Sequence, residues 1–196
     1  MYIHSVKKYS KWFQNKTFLW SLIACYVTLI YSTLYIMRPI IDYMRGVLKN
    51  YFQPSAMILF IIILSSILFY IINNRERYSV SQYLWFSFIS CLYGLVIYIL
   101  ELPEEQVHFI EYGILGALIY LALSHDINNV FVYILSALIV FVFGTIDEVI
   151  QGVLPNRVFD IRDLIMNGSA GILVQLLIAM VLSKRKVVLV DNIENT

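Results

Sequence analysis

"FLWSLIACYVTLIYSTLYIM", residues 18–37, runs for twenty positions without a charged side chain. A helix of about 20 apolar residues is what a chain needs to cross the hydrocarbon core of a bilayer. The stretch is too long for the apolar region of a cleavable signal peptide, and no small-residue cleavage site follows it. We therefore predict a transmembrane helix that remains in the protein.

The composition extends this conclusion to the whole chain. Of 196 residues, 60% are hydrophobic and 14% are charged, and the mean hydropathy is +0.77. About a quarter of the residues in an ordinary soluble domain are charged. The formal net charge of +1 and the lack of a basic stripe argue against a nucleic-acid partner. The chain is predicted to be an all-α integral membrane protein that forms a single bundle.

Long apolar runs predict about six transmembrane helices. They are residues 18–37, 55–73, 81–100, 108–124, 129–146 and 161–182. Residues 1–100 then hold three spans, residues 101–182 hold three more, and residues 183–196 form a tail. Cys25 and Cys91 lie in apolar segments without a CxxC pattern, so we expect them to be packed core thiols.

The connection after the first span has a pattern of its own, at about residues 38–53. Its apolar residues recur at helical spacing, at Ile40, Met44, Val47, Leu48 and Tyr51. This pattern favours an amphipathic helix lying in the membrane interface. A structured polar loop is the alternative.

The distribution of Lys and Arg predicts the orientation. With six spans, nine of these residues lie in the N-terminal segment, the 74–80 loop and the C-terminal tail, all on one side. The other side holds five. Short loops on the cytoplasmic side carry the excess of positive charge. Both termini are therefore predicted to be cytoplasmic.

Polar residues concentrate where three predicted spans meet the outer side: the start of span four, the end of span five and the start of span six. They are His108, Glu111 and Tyr112; Asp147, Glu148 and Gln151; and Arg157, Asp160, Arg162, Asp163 and Asn167. Within each helix the spacings are three or four residues, or seven from Asp160 to Asn167, so the members share a face. We expect one common cluster.

Depth in the membrane makes this cluster informative. Asn167 should lie about 10 Å below Asp160 at a helical rise of about 1.5 Å per residue. Polar groups at such depth are costly, so they turn inward and find partners. Small residues at 113, 116, 168 and 171 favour a close approach of spans four and six.

Three stretches together resemble the VanZ-like family of bacterial membrane proteins. They are "HFIEYGILGAL", "DEVIQGVLPNR" and "FDIRDLIMNGSAG", within residues 100–180. The family's polar pattern matches Glu148, Gln151, Asp160, Asp163 and Asn167, and His108, Glu111 and Tyr112 match the His-x-x-Glu-Tyr form found in part of the family. The resemblance implies a multi-pass protein of the bacterial cell membrane. The family's namesake is associated with resistance to the glycopeptide teicoplanin.

The residues leave three interpretations of the cluster open. The first is structural: a polar network clamps spans four, five and six, with Arg157 or Arg162 neutralising some of the acids. Interhelical hydrogen bonds contribute about 0.6 kcal/mol each on average, so several would be needed.

The second interpretation is recognition of an envelope ligand in an outward-facing pocket. Arginines pair bidentately with phosphate or carboxylate. The predicted ligand-binding residues are Tyr112, Glu148, Gln151, Arg157, Asp160, Asp163 and Asn167. Besides membrane lipids, the partners would be a lipid-linked cell-wall precursor or a glycopeptide.

The third interpretation is catalysis, with His108, Glu111, Asp147 and Glu148 as candidates for acid–base work. The reaction would be hydrolysis or group transfer on a lipid-linked phosphate. No P-loop, Gly-x-Ser-x-Gly or HExxH motif is present, and we predict no metal and no cofactor. The acidic residues gather at one side of the membrane, whereas a proton relay needs them near its midplane, so the pattern argues against proton-coupled transport. The sequence favours recognition over catalysis.

Overall fold

A computed structural model describes residues 15–48, 52–100, 103–155 and 157–183. This part of the chain is helical and contains no β-strand. The helices are α1 (Lys16–Leu48), α2 (Phe52–Asn73), α3 (Val80–Ile99), α4 (Pro103–Leu123), α5 (Phe131–Val153) and α6 (Ile161–Leu177). A 3-10 turn, Arg75–Arg77, joins α2 to α3, and a π-helical turn, Ile178–Leu182, continues α6. The all-α prediction is confirmed.

Each of the six predicted spans corresponds to one helix. Five helices are long and apolar enough to cross a membrane, with segments Lys16–Ile36, Val80–Ile99, Glu105–Leu123, Phe131–Val153 and Ile161–Leu182. Helix α2 contributes the shorter apolar segment Met57–Asn73. The protein is therefore a multi-pass membrane protein.

Helices α1 and α5 extend well beyond the C-terminal ends of the predicted spans. Helix α1 continues past Pro39 to Leu48, so the segment predicted as interfacial is helical and joins span one directly. Helix α5 continues past residue 146 to Val153, which keeps its acidic residues helical. Residues 49–51, the N-terminal lysines at 7, 8 and 11, and the predicted cytoplasmic tail from residue 184 lie outside the described residues.

Helix α6 lies at the centre of the bundle. In its membrane segment 61% of the residues are buried, against 22% in the segments of α1 and α3. Its main partners are α5 and α4. Gln175 Nε2 donates a hydrogen bond to the Gly116 carbonyl at 2.9 Å, and a Cβ on Gly116 would lie 2.7 Å from Val174 Cγ1. The predicted close contact of spans four and six is confirmed.

Helices α1 and α2 flank α4. The Tyr26 hydroxyl on α1 donates to the Glu111 carbonyl at 3.3 Å, and the Tyr31 hydroxyl donates to the Phe143 carbonyl at 2.8 Å. Cys25 and Cys91 are free and exposed, so their prediction as core thiols was wrong. The lipid-facing surface of a membrane protein is as apolar as its core, so an apolar segment does not locate a side chain in the interior.

A hydrogen bond at the far end of the bundle fixes the relative position of α3 and α6. Gln82 Nε2, in the first turn of α3, donates to the Val181 carbonyl at 2.8 Å. The α2–α3 connection therefore lies at the C-terminal end of α6. The starts of α4 and α6 and the end of α5 lie together at the opposite end, which we call the polar end.

Candidate functional site

His108 links two helices at the polar end. Its Nδ1 lies 2.9 Å from Glu111 Oε2 on the same helix, and its Nε2 lies 3.0 Å from Asp147 Oδ2 on α5. The Asp147 side chain is fully buried, while those of His108 and Glu111 are 19% and 26% exposed. The Tyr112 ring packs edge-on against the imidazole, with 5.6 Å between ring centroids. His108 and Glu111, which are three residues apart in the sequence, are thus in direct contact.

The side-chain amide of Gln151 bridges two carboxylates on α5. It donates to Asp147 Oδ2 at 3.3 Å and to Glu148 Oε1 at 3.0 Å. The other Glu148 oxygen accepts the backbone N–H of Asp160 at 3.1 Å. Glu148 thus connects the last turns of α5 to the residue that begins α6.

Asn167 forms part of the floor of the cluster. It is fully buried, and a Cβ on Gly144 would lie only 2.7 Å from its Cβ. Neither polar atom of its side chain makes a hydrogen bond within the described residues. The Tyr112 hydroxyl interacts with Asp147, so Asn167 is the member of the floor with unused hydrogen-bonding capacity at both polar atoms.

Charged residues form the rim. The Arg162 side chain is 64% exposed, and its guanidinium lies 4.0 Å from Glu105 Oε1. Arg157 is half-buried, and its Nε makes no hydrogen bond within the described residues. Asp163 interacts electrostatically with both arginines and with His108. Exposed Asp160 caps α6 by accepting the Arg162 N–H at 2.8 Å.

The structure thus brings all the predicted site residues to one end of the bundle and sorts them by depth. Tyr112, Asp147, Glu148, Gln151 and Asn167 are buried, whereas His108, Glu111, Arg157, Asp160, Arg162 and Asp163 reach the surface in part or in full. The cluster therefore has a buried polar floor beneath a charged rim. Among the described residues, no group of three or more His, Cys, Asp or Glu could hold a metal ion.

Some members of the cluster were missed from the sequence. Glu105 on α4 faces Arg162 on α6. It lies in the first turn of α4, three residues before His108, and this spacing could have indicated that it belongs to the cluster. Gly144 packs against Asn167. Tyr26 and Tyr31 reach the site from α1, but nothing distinguishes them among fifteen tyrosines.

Comparison with known proteins identifies the family of the chain. The profile of the VanZ/LLP1 family matches residues 18–183. The chain belongs to the VanZ/LLP1 family. The match takes in α1 to α3 as well as the three helices whose motifs suggested the resemblance, so the family region is wider than residues 100–180. No curated protein and no solved structure matches the chain.

Proposed function

We propose that this VanZ/LLP1 protein recognises an envelope ligand at the polar end of its bundle. The ligand presents a phosphate or carboxylate to the rim and hydroxyl or amine groups to the acidic residues below. A lipid-linked cell-wall precursor and a glycopeptide such as teicoplanin both have this chemistry. The polar end faces outward in this proposal, where such ligands are found.

The observation that carries the proposal is a pair of arginines at the α5–α6 junction, with Arg157 within the connection and Arg162 in the first turn of α6. Arg162 is largely exposed and only loosely paired with Glu105, and the half-buried Arg157 has an unused Nε donor. A guanidinium binds phosphate and carboxylate through two parallel hydrogen bonds, which an ammonium does not reproduce. Asp163 interacts electrostatically with both arginines.

One observation favours a second candidate, a membrane-embedded hydrolase or transferase acting on a lipid-linked phosphate. His108 contacts both Glu111 and Asp147, and a histidine oriented by carboxylates is suited to general acid–base catalysis. Recognition remains our proposal because the cluster presents no side chain in the role of an activated nucleophile.

The two candidates differ in their response to conservative substitutions. Arg157→Lys keeps the charge and removes the planar fork, so recognition should weaken severalfold. Glu148→Gln keeps the size of the side chain and removes its ability to accept a proton. An acid–base site should then lose about 10²–10⁴-fold in rate, whereas anion binding at the rim should persist.

The test uses bacterial cells that produce each variant at equal membrane abundance. Teicoplanin susceptibility and turnover of the lipid-linked precursor are measured beside binding of the precursor to the protein in nanodiscs. Arg75→Lys, in the connection at the opposite end, is the matched control. Loss of precursor binding with Arg157→Lys supports recognition. Loss of precursor turnover with Glu148→Gln, in a variant that still binds the precursor, supports catalysis. Wild-type behaviour of both variants would exclude a role for the cluster in either function.

A further inference from the structure

The imidazole of His108 is held at both ring nitrogens. Glu111 Oε2 lies 2.9 Å from Nδ1 and Asp147 Oδ2 lies 3.0 Å from Nε2. Both are hydrogen-bond distances, and the two partners come from different helices. The ring is therefore a bridge between α4 and α5 in addition to being a neighbour of Glu111.

This geometry determines the number of protons in the group. An ionised carboxylate only accepts hydrogen bonds, and a neutral imidazole has one N–H. Two hydrogen bonds between the ring nitrogens and the carboxylates therefore need two protons. A neutral histidine between two ionised carboxylates has only one. The additional proton turns the ring into an imidazolium, and the group of three then has a net charge of −1.

The surroundings favour a cation at this position. The titratable groups that face the ring or its two partners come from four helices: Glu111 and Tyr112 on α4, Asp147 and Glu148 on α5, Asp163 on α6, and Tyr26 and Tyr31 on α1. The carboxylates among them repel one another when ionised. A positive ring between them offsets that repulsion.

The two ends of the bridge differ in their access to water. Glu111 and His108 are 26% and 19% exposed, whereas Asp147 is fully buried. A proton therefore reaches the group from the Glu111–His108 side and not through Asp147. Its loss leaves one ring nitrogen without a hydrogen atom and removes one of the two bonds, either within α4 or between α4 and α5.

We propose that Glu111, His108 and Asp147 form a proton-binding site that exchanges one proton with solvent from its Glu111–His108 side. With the proton bound, both carboxylate–nitrogen hydrogen bonds form at once, so the start of α4 is always clamped to the end of α5. This site is separate from the anion-binding role of the arginines and does not depend on which ligand the rim takes.

Nitrogen-15 NMR of the full chain, labelled at histidine and placed in lipid nanodiscs, tests the proposal. Histidine occurs at positions 4, 108 and 125, and single substitutions assign the signals. His125 is exposed at the opposite end and serves as the internal reference. At pH 7.5 both ring nitrogens of His108 should be protonated, and Glu111→Gln and Asp147→Asn should each remove one of the two N–H signals.

Exchange is measured on the wild-type protein, so it does not depend on the folding of a variant. Transfer to D2O should replace both His108 ring protons within minutes, because the side chains of His108 and Glu111 are both partly exposed. A His108 ring that is neutral at pH 7.5 would overturn the proposal. Ring protons that persist for hours in D2O would overturn it as well, because the group would then be a static ion pair.

Discussion

Glu148 illustrates how a fully buried carboxylate is accommodated in this protein. One of its oxygens accepts from Gln151 and the other from the backbone of Asp160. An isolated buried charge costs several kcal/mol, and hydrogen bonds to both oxygens offset much of this cost. The carboxylate thus contributes to the junction between α5 and α6 whatever its role toward a ligand.

Replacing Glu148 with Gln should destabilise the protein. The amide end of glutamine has one acceptor oxygen and one NH2 nitrogen that only donates. One of the two donors that now face Glu148 would therefore oppose another N–H. Leaving a buried polar group unpaired costs about 1–3 kcal/mol. We expect a lower melting temperature for the variant in detergent, measured by circular dichroism.

Asp126→Asn is the matched control for this measurement. Asp126 is exposed and pairs with Lys16, and exposed ion pairs contribute about 0–1 kcal/mol. The Asp126→Asn variant should therefore have a melting temperature close to that of the wild type. Equal melting temperatures for Glu148→Gln and the control would show that the Glu148 hydrogen bonds do not stabilise the junction.

Contacts within one helix were predictable from the sequence. The spacing of His108 and Glu111 and that of Glu148 and Gln151 predicted shared faces, and both pairs are in hydrogen-bond contact. The bond from His108 to Asp147 joins two helices. It depends on how the helices are rotated about their axes, and spacing along one helix does not determine that rotation.

At the scale of the element, the start of α6 explains why one predicted stripe is incomplete. We predicted that Asp160, Asp163 and Asn167 share a helical face. Asp160 has extended backbone angles, φ −123° and ψ 119°, and serves as the N-cap of α6. An N-cap residue directs its side chain to the first turn of its helix instead of along a helical face. Asp160 is therefore exposed while Asn167 is buried.

Gly144 controls how closely α5 approaches α6. A methyl group at this position would lie 2.7 Å from the Asn167 Cβ, so Gly144→Ala forces the helices apart or displaces Asn167. Overpacking of this kind costs about 1–3 kcal/mol. We expect a lower melting temperature for the variant, together with weaker ligand binding at the polar end.

Gly113→Ala provides the control within the same bundle. A Cβ at Gly113 meets nothing within 4 Å, and alanine is favoured over glycine in a helix by about 1 kcal/mol. This variant should be as stable as the wild type or more stable. The sequence analysis named Gly113, and not Gly144, among the small residues that favour close helix packing. The position of a glycine in an apolar helix does not reveal which neighbouring helix it faces. A Gly144→Ala protein as stable as Gly113→Ala would refute the close α5–α6 contact.

At the scale of the whole molecule, the sequence predicted the helices but not their arrangement. Long apolar runs located all six, since length and hydropathy identify a segment that can cross a bilayer. The central position of α6, with 61% of its membrane segment buried, was not predictable. Lipid and protein interior are similarly apolar, so hydropathy does not distinguish a central helix from a peripheral one.

The family match makes α1 part of the same unit. The motifs of the resemblance lie in α4 to α6, yet the match begins at residue 18. The structure gives a physical reason, because α1 packs against α4 and its tyrosines donate hydrogen bonds to carbonyls of α4 and α5. A truncated chain that begins at α4 should therefore be a poor substitute for the full protein in binding experiments.

The orientation of the bundle determines which compartment the polar end faces. The excess of Lys and Arg at the N-terminus, the α2–α3 connection and the C-terminus predicts that this side is cytoplasmic. Gln82 holds the α2–α3 end beside the C-terminal end of α6, so the α5–α6 connection lies on the other side of the membrane.

Single-cysteine labelling in whole cells tests this orientation. The background carries Cys25→Ser and Cys91→Ser, which removes the two native thiols. Val158, 80% exposed in the α5–α6 connection, and the exposed Glu76 in the α2–α3 connection are each replaced by Cys. A membrane-impermeant maleimide should label Val158→Cys in intact cells and Glu76→Cys only after lysis. The reverse result would place the rim arginines in the cytoplasm, and an extracellular glycopeptide would then be excluded as their ligand.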